Sequence, residues 1–468
     1  MMTVDELRST IHALMPPARR DLEALVSLES VADPSKFPAE NCARAAHLVA
    51  DLFRAEGLAD TDLYATPDGS NVVIGHAEAP HDAPTVLLYC HYDVQPPLST
   101  DSWRTPPFEL TESGGRWYGR GAADCKGNIV THLTALRALG SGNYPVGVIL
   151  VAEGSEEQGT GGLEAFVAAN PGPLRSDAIL VCDAGNIAVG VPTVTTTLRG
   201  VTDVRVNVES LADPVHSGVF GGPAPDALVA LIHILSTLHD ERGNTTVRGL
   251  ESSQRWSGAA YPASQFRVDA KVLEGVELLG DGNVADMLWA RPAVTVLGID
   301  CPSIAGASAT VPAKASALVS LRIPTGTDAT QAQNSLVTHL SRVAPWGVHV
   351  STERDVPGAS FSASVDGPAY EVLAEAMRDA YGRDMVTTGD GGSIPLCDVL
   401  QRAFPEAEIA IIGVEEPLAM IHGPNESVDP TEIANMALVE ALFLQRYSFK
   451  RPPFSGAGKS GSTRRSPD

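Results

Sequence analysis

The sequence predicts an α/β protein interrupted by a second, α+β unit. Short apolar runs alternate with helical periodicity near the start of the chain, a middle stretch follows the order β-α-β-β-α-β, and the first pattern then resumes.

Residues up to about 60 read as helical. Apolar side chains recur at three- and four-residue spacings in Leu22, Leu25 and Val26, and again in Ala45, Ala46, Val49, Ala50 and Phe53, before Gly57 stops the second helix. The pattern then changes to the runs 72–74, 85–89, 146–152 and 178–182. Each is nearly all apolar, as a strand covered on both faces reads. Helical stretches at 128–139 and 162–169 fall between them, so the central sheet is expected to be mostly parallel. In the middle, 201–208 alternates, 224–238 is a helix with an apolar face, 293–299 and 315–323 are strands, 329–343 is helical and 348–352 alternates. That order is the ferredoxin-like plan, with 240–288 as an irregular insertion. A helix at 369–381, a strand at 408–414 and a helix at 430–449 restore the opening pattern. The expected organisation is one unit from 1–194 and 356–449, an inserted unit from 195–355, and a ligand cleft between them. The tail 450–468, rich in Pro, Gly, Ser, Lys and Arg, is expected to be disordered.

Composition removes several classes of function. With 57 acidic and 33 basic residues the formal charge is -24, which disfavours nucleic acid and anionic membrane surfaces as partners. A hydrophobic share of 44% with 19% charged residues is that of a globular protein, not a disordered one. No apolar run approaches the ~18 residues of a membrane span, and Met1 to Glu6 lacks the start of a secretory signal, so a cytoplasmic location is expected. The six cysteines include no Cys-x-x-Cys pair, which suits free thiols and argues against a cysteine-based zinc site.

Five segments carry candidate chemistry. His91-Tyr92-Asp93 follows an apolar strand, where functional groups of open α/β sheets gather, although an ordinary hydrogen-bonded loop pair reads the same way. The turn from Gly119 to Gly127 matches neither nucleotide-binding glycine pattern, which leaves Asp124 as its lead residue. Glu153-Gly154-Ser155-Glu156-Glu157 again follows a strand; adjacent carboxylates repel, and either solvent or a nearby cation compensates. Cys182-Asp183 repeats the strand-then-acid arrangement, and His422 stands beyond the last strand. Oxygen and nitrogen donors of this kind suit Zn²⁺ or Mn²⁺, and a shared Asp suits two ions. Cys90, Cys125 and Cys182 flank candidate ligands, but neighbours on an extended segment point oppositely, so these thiols are expected to face the core.

The segments Cys90-His91-Tyr92-Asp93-Val94-Gln95-Pro96, Gly119 to Gly127 and Glu153 to Gly159 resemble the three signatures of the carnosinase, aminoacylase and acetylornithine deacetylase family of two-metal hydrolases. His216-Ser217-Gly218-Val219-Phe220-Gly221-Gly222, Gly391-Gly392-Ser393-Ile394-Pro395 and the long insertion resemble its carnosinase and cytosolic nonspecific dipeptidase branch. The resemblance implies a zinc-exopeptidase-like catalytic unit with an inserted lid and dimerisation unit. It implies that His91 and Asp183 bind one divalent ion, Glu157 and His422 another, and that Asp124 bridges them, with Zn²⁺ first and Mn²⁺ or Co²⁺ as alternatives. Asp93 would orient His91, and Glu156 would act as general base towards a bridging hydroxide. His216 would steady the oxyanion from the partner subunit of a homodimer. Arg322 would clamp the substrate carboxylate, assisted by Gly392 and Ser393, with Thr310 nearby.

Two positions depart from the family pattern: Cys125 stands where Asp or Asn is common, after a peptide that is typically cis, and Thr160 where Ser is frequent. The implied activity is hydrolysis of dipeptides. The same machinery acting on N-acyl amino acids is the alternative, and a non-catalytic metal-binding scaffold would predict loss of the base, which is present as Glu156.

Overall fold

The computed structural model describes residues 1–80 and 82–449; the expectation of a disordered tail falls outside them. Nine strands form the large sheet. Its order is Asp60–Ala65, Asn71–Ala77, Gly147–Glu153, Thr85–His91, Ala178–Cys182, Glu408–Ile412, Thr193–Leu198 and Phe361–Ser362, with Val386–Asp390 also pairing with Thr193–Leu198. The four middle strands, from Gly147–Glu153 to Glu408–Ile412, run parallel. The flanks are largely antiparallel, so the sheet is mixed with a parallel centre.

Period-two alternation explains the layering. Val86, Leu88 and Cys90 enter a core shared with the helices Val4–Val26, Lys126–Leu139, Pro368–Tyr381 and Pro430–Tyr447. Leu87 and Tyr89 point to the opposite core, covered by Gly162–Ala169 and Pro395–Ala403. Lys126, fully buried, ties the glycine-rich turn to the end of the first helix by donating to the carbonyls of Leu25 and Leu28.

A second, four-stranded sheet runs Ala293–Asp300, Lys314–Ile323, Gly200–Glu209, His349–Arg354, every pair antiparallel. With helices Ala227–Ser236 and Ala329–Arg342 it encloses its own core, in which Val204, Val206 and Val208 meet Ala317, Val319 and Leu321. The chain follows the β-α-β-β-α-β order read from the sequence. Its first helix starts at Ala227 because Asp226 caps it, accepting from the N–H groups of Leu228 and Val229. Within 240–288 the chain forms a short helix, Ala263–Asp269, and sets Tyr261 against Trp289 with ring centroids 5.8 Å apart.

Several elements lacked a sequence signal. Thr193–Leu198 has four threonines in its six residues and so carries no apolar run, yet Thr193, Thr195 and Thr196 are buried. Asp60–Ala65, Val386–Asp390 and helix Pro395–Ala403 are likewise polar enough to read as loops. No helix among the described residues is long and apolar enough to cross a membrane.

Candidate metal centre

The parallel centre brings the chemistry to one edge. His91 ends the strand Thr85–His91, Glu156 and Glu157 follow Gly147–Glu153, Asp183 follows Ala178–Cys182, and Glu415 follows Glu408–Ile412. Because these four strands point the same way, their carboxyl ends share one rim, and the chain direction alone gathers the side chains. Asp124 enters from the turn that opens the helix Lys126–Leu139, and His422 from the loop before Ser427–Val428.

Asp124 sits between the two histidines: its Oδ1 lies 3.0 Å from His91 Nε2 and its Oδ2 3.0 Å from His422 Nε2. Asp183 Oδ1 is 3.1 Å from His91 Nε2, and Glu157 Oε2 is 3.2 Å from His422 Nε2. Two histidine–carboxylate groups therefore share the Asp124 carboxylate. His91 is fully buried, whereas the His422 side chain is 56% exposed, which places the second set at the mouth of the site. The Asp124–Cys125 peptide is cis, as the resemblance implied.

The supporting bonds are specific. His91 Nδ1 hydrogen-bonds the main-chain carbonyl of Asp93 at 3.0 Å and lies 3.4 Å from its carboxylate. That carboxylate also accepts the N–H groups of Glu156 at 3.2 Å and Glu157 at 3.0 Å, so Asp93 holds the first histidine and the acidic pair together. Cys125 donates its thiol to the carbonyl of Cys182 at 3.0 Å, and burial pushes its pKa up, so it remains a protonated thiol. The three thiols flanking candidate ligands are buried, and all six cysteines are free. Thr160 keeps the hydroxyl that its position requires, donating to Asp68 at 2.5 Å.

The charge balance at this rim is lopsided. Asp93, Asp124, Glu156, Glu157, Asp183 and Glu415 converge on two histidines, and among the described residues no Lys or Arg forms an ion pair with any of them. Burial and the Asp183 charge push Glu156 up to about 10; burial and Asp124 raise Glu157. His422, bonded to Asp124 and Glu157, is pushed up to about 11. Like charges packed at this density call for cations. The donor set, imidazole nitrogen and carboxylate oxygen with a shared Asp, fits two divalent ions.

Other residues singled out in the sequence lie elsewhere. His216 is exposed, pairs across a short ladder with Thr310, and bonds only the N–H of Gly218, at 3.0 Å. No described bond links either residue to the metal-ligand cluster. Arg322 lies on Lys314–Ile323 opposite Ala293 and Val201. Gly392 donates its N–H to Asp390 at 2.6 Å, and Ser393 follows in the same loop.

Three contributors escaped the sequence reading. Glu415 joins Asp124 and Asp183, with one ligand atom of each within 4.8 Å of the others. Its place is set by Gly185, where a Cβ would stand 1.9 Å from the Glu415 carbonyl oxygen, so only glycine lets the two segments touch. Glu426, buried, accepts the N–H groups of Gly121, Ala123 and Asp124 and the guanidinium of Arg120 at 2.6 Å. Gln95 donates to Glu157 Oε2 at 2.9 Å. The strand-then-acid arrangement was available for Glu415. Gln95 lies within the first family-like segment and Glu426 four residues after His422, but nothing local assigned either a role.

Residues 87–446 match the family model described as Peptidase family M20/M25/M40. A cysteinylglycine-S-conjugate dipeptidase of Corynebacterium striatum is 44% identical over 446 residues, covering 94% of this chain and 98% of the relative. A Cys-Gly metallodipeptidase of Saccharomyces cerevisiae is 27% identical over 384 residues, covering 78% of this chain and 79% of that one. In structure, human carnosine dipeptidase 1 superposes with a TM-score of 0.79 at 23% identity over 96% of this chain and 99% of its own, which shows a shared fold.

Proposed function

The chain belongs to peptidase family M20/M25/M40, and from that premise we propose that it is a two-cation dipeptidase. The observation that carries this reading is the Asp124 carboxylate held 3.0 Å from both His91 and His422, grouped with Glu157. His91 and Asp183 hold one ion, Glu157 and His422 the other, and Asp124 both; Zn²⁺ is the first candidate. Bound cations would polarise the scissile carbonyl and acidify the attacking water.

The chain's own residues do the rest. Glu156 takes the proton of the attacking water and returns it to the leaving amine. Its side chain forms no hydrogen bond among the described residues, and its backbone is fixed by Asp93, so the carboxylate is held in place but free to exchange a proton. Asp93 orients His91. Arg322, with Gly392 and Ser393, receives the terminal carboxylate of the dipeptide. We take 1–194 and 356–449 as the catalytic unit and 195–355 as a lid. His216 and Thr310 serve the oxyanion and substrate of the partner's site in a homodimer. That arrangement draws support from their separation from their own cluster and from the exposed apolar Val229, Ile232, Leu297 and Ile299 on the inserted unit.

Turnover of cysteinylglycine, an S-substituted cysteinylglycine and alanylglycine, after chelation and readdition of Zn²⁺, Mn²⁺ or Co²⁺, tests the proposal. Metal-dependent release of two amino acids is expected. Cleavage of N-acetyl amino acids with no dipeptide turnover would replace the dipeptidase by a deacylase, and no hydrolysis at all would leave a binding scaffold.

A further inference from the structure

Arg199 is the single residue between the strand Thr193–Leu198 of the large sheet and Gly200–Glu209 of the second. It is only 6% exposed, and its Nε and Nη1 are buried without a hydrogen-bond partner. The other buried cations are all provided for: Arg120 by Glu426, Lys126 by two carbonyls, and Arg291 by Asp281 and the carbonyl of Gln254. Arg199 has instead a second cation near it in the register: Arg322 pairs with Val201, two residues further along the chain. Burial and the Arg322 charge push its pKa down to about 10, and Asp390 is the negative charge that opposes them. Arg322 also has no ion pair or side-chain hydrogen bond among the described residues. In a chain with 57 acids and 33 basic residues, two neighbouring arginines of which neither forms an ion pair among the described residues run against the composition. Buried charge and like-charge repulsion both disfavour this arrangement in the free protein.

The surroundings say where such a pair would act. Nη2 of Arg199 lies against the loop Gly391-Gly392-Ser393: a Cβ on Gly391 would stand 2.7 Å from it. Arg199 also borders a cavity of about 910 Å³ shared with Trp256 and Leu288. We propose that Arg199 is a carboxylate-binding residue that completes, with Arg322, a two-guanidinium seat for the terminal carboxylate of the substrate. The inference rests on the dipeptidase reading for the identity of that carboxylate. A planar fork of donors on each side matches the two oxygens of a carboxylate, and Asp390 supplies a second negative charge, so that the occupied seat approaches neutrality. The seat makes the free acid, rather than the C-terminal amide, the preferred substrate.

The test compares alanylglycine with alanylglycinamide in the metal-loaded enzyme and its Arg199→Gln and Arg199→Lys variants. For Arg199→Gln, the KM for the acid should rise by about 10- to 100-fold, while the amide is unaffected; Arg199→Lys should fall between. The melting temperature without substrate should not drop, because the variant removes an unpaired buried charge. Equal losses on both peptides, no change on either, or a lowered melting temperature with loss of activity would overturn the proposal. Calorimetric binding of both peptides to Glu156→Gln and to Glu156→Gln/Arg199→Gln gives a readout without turnover. A wild-type enzyme that cleaves no dipeptide ends the dipeptidase reading, while loss of the acid-over-amide binding difference in the double variant still supports Arg199. Binding of neither peptide overturns both.

Discussion

Glu426 accepts the backbone N–H of Asp124 at 3.1 Å. The residue proposed to serve both cations is thus positioned through its main chain by an acid from the far end of the sequence. The same carboxylate pairs with buried Arg120 at 2.6 Å. Replacing Glu426 with Ala leaves Arg120 buried and unpaired, and a broken buried pair costs about 3–5 kcal/mol. Urea unfolding of the metal-free protein should show a loss of at least ~3 kcal/mol, and a loss below ~1 kcal/mol would mean that water or rearrangement replaces the pair.

Glu156→Gln preserves shape and removes the proton acceptor. The expected result is a fall in kcat of about 10²–10⁴, with KM and bound metal, measured by elemental analysis, unchanged. Retention of full activity would assign the base elsewhere.

Metal binding should release protons. Burial by itself would lower the His91 pKa, but Cys125, Asp183 and the hydrogen bonds to Asp124 and Asp183 raise it well above the ordinary imidazole value; His422 is pushed up to about 11. Both rings are therefore protonated at pH 7 in the metal-free protein and must lose a proton to offer Nε2. Affinity for Zn²⁺ consequently rises with pH, and calorimetry in buffers of different ionisation enthalpy should count at least one proton per cation, with Glu156, pushed up to about 10, as a further source. Uptake of none at pH 7, with none released, would show that the rings were already neutral.

Subunit exchange tests His216. Neither His216→Ala nor Glu156→Gln should be active alone. Mixed and reassembled, they should regain part of the wild-type rate, since a site with intact Glu156 then receives His216 from its partner. No recovery in a proven mixed dimer would place His216 in its own site. Ile232→Asp, on the exposed face of Ala227–Ser236, should yield a monomer by sedimentation with strongly reduced turnover.

Much of this centre was legible before folding was considered. His91, Asp124, Glu157, Asp183 and His422 come together in the structure: His91, Glu157 and Asp183 stand at or just past the ends of apolar runs, Asp124 lies in the glycine-rich turn, and His422 lies in the loop beyond the last strand. The β-α-β-β-α-β order of the four-stranded sheet was legible too: its alternating strands and amphipathic helices are local patterns that survive in any context. The sheet's threonine-rich strand was not, since Thr193, Thr195 and Thr196 are buried by their neighbours and not by their own hydropathy.

The sequence by itself determined which residue types stand at strand ends, and so the donor set and the expected chemistry. Only the tertiary structure decided that Glu426 would return to hold the Asp124 turn, that Gly185 would let Glu415 approach Asp124 and Asp183, and that Arg199 would be buried with two of its nitrogens unpartnered. The physical reason is range. Periodicity and turn chemistry act over a few residues, whereas burial, charge pairing and an orphaned guanidinium depend on which distant segments close around a group.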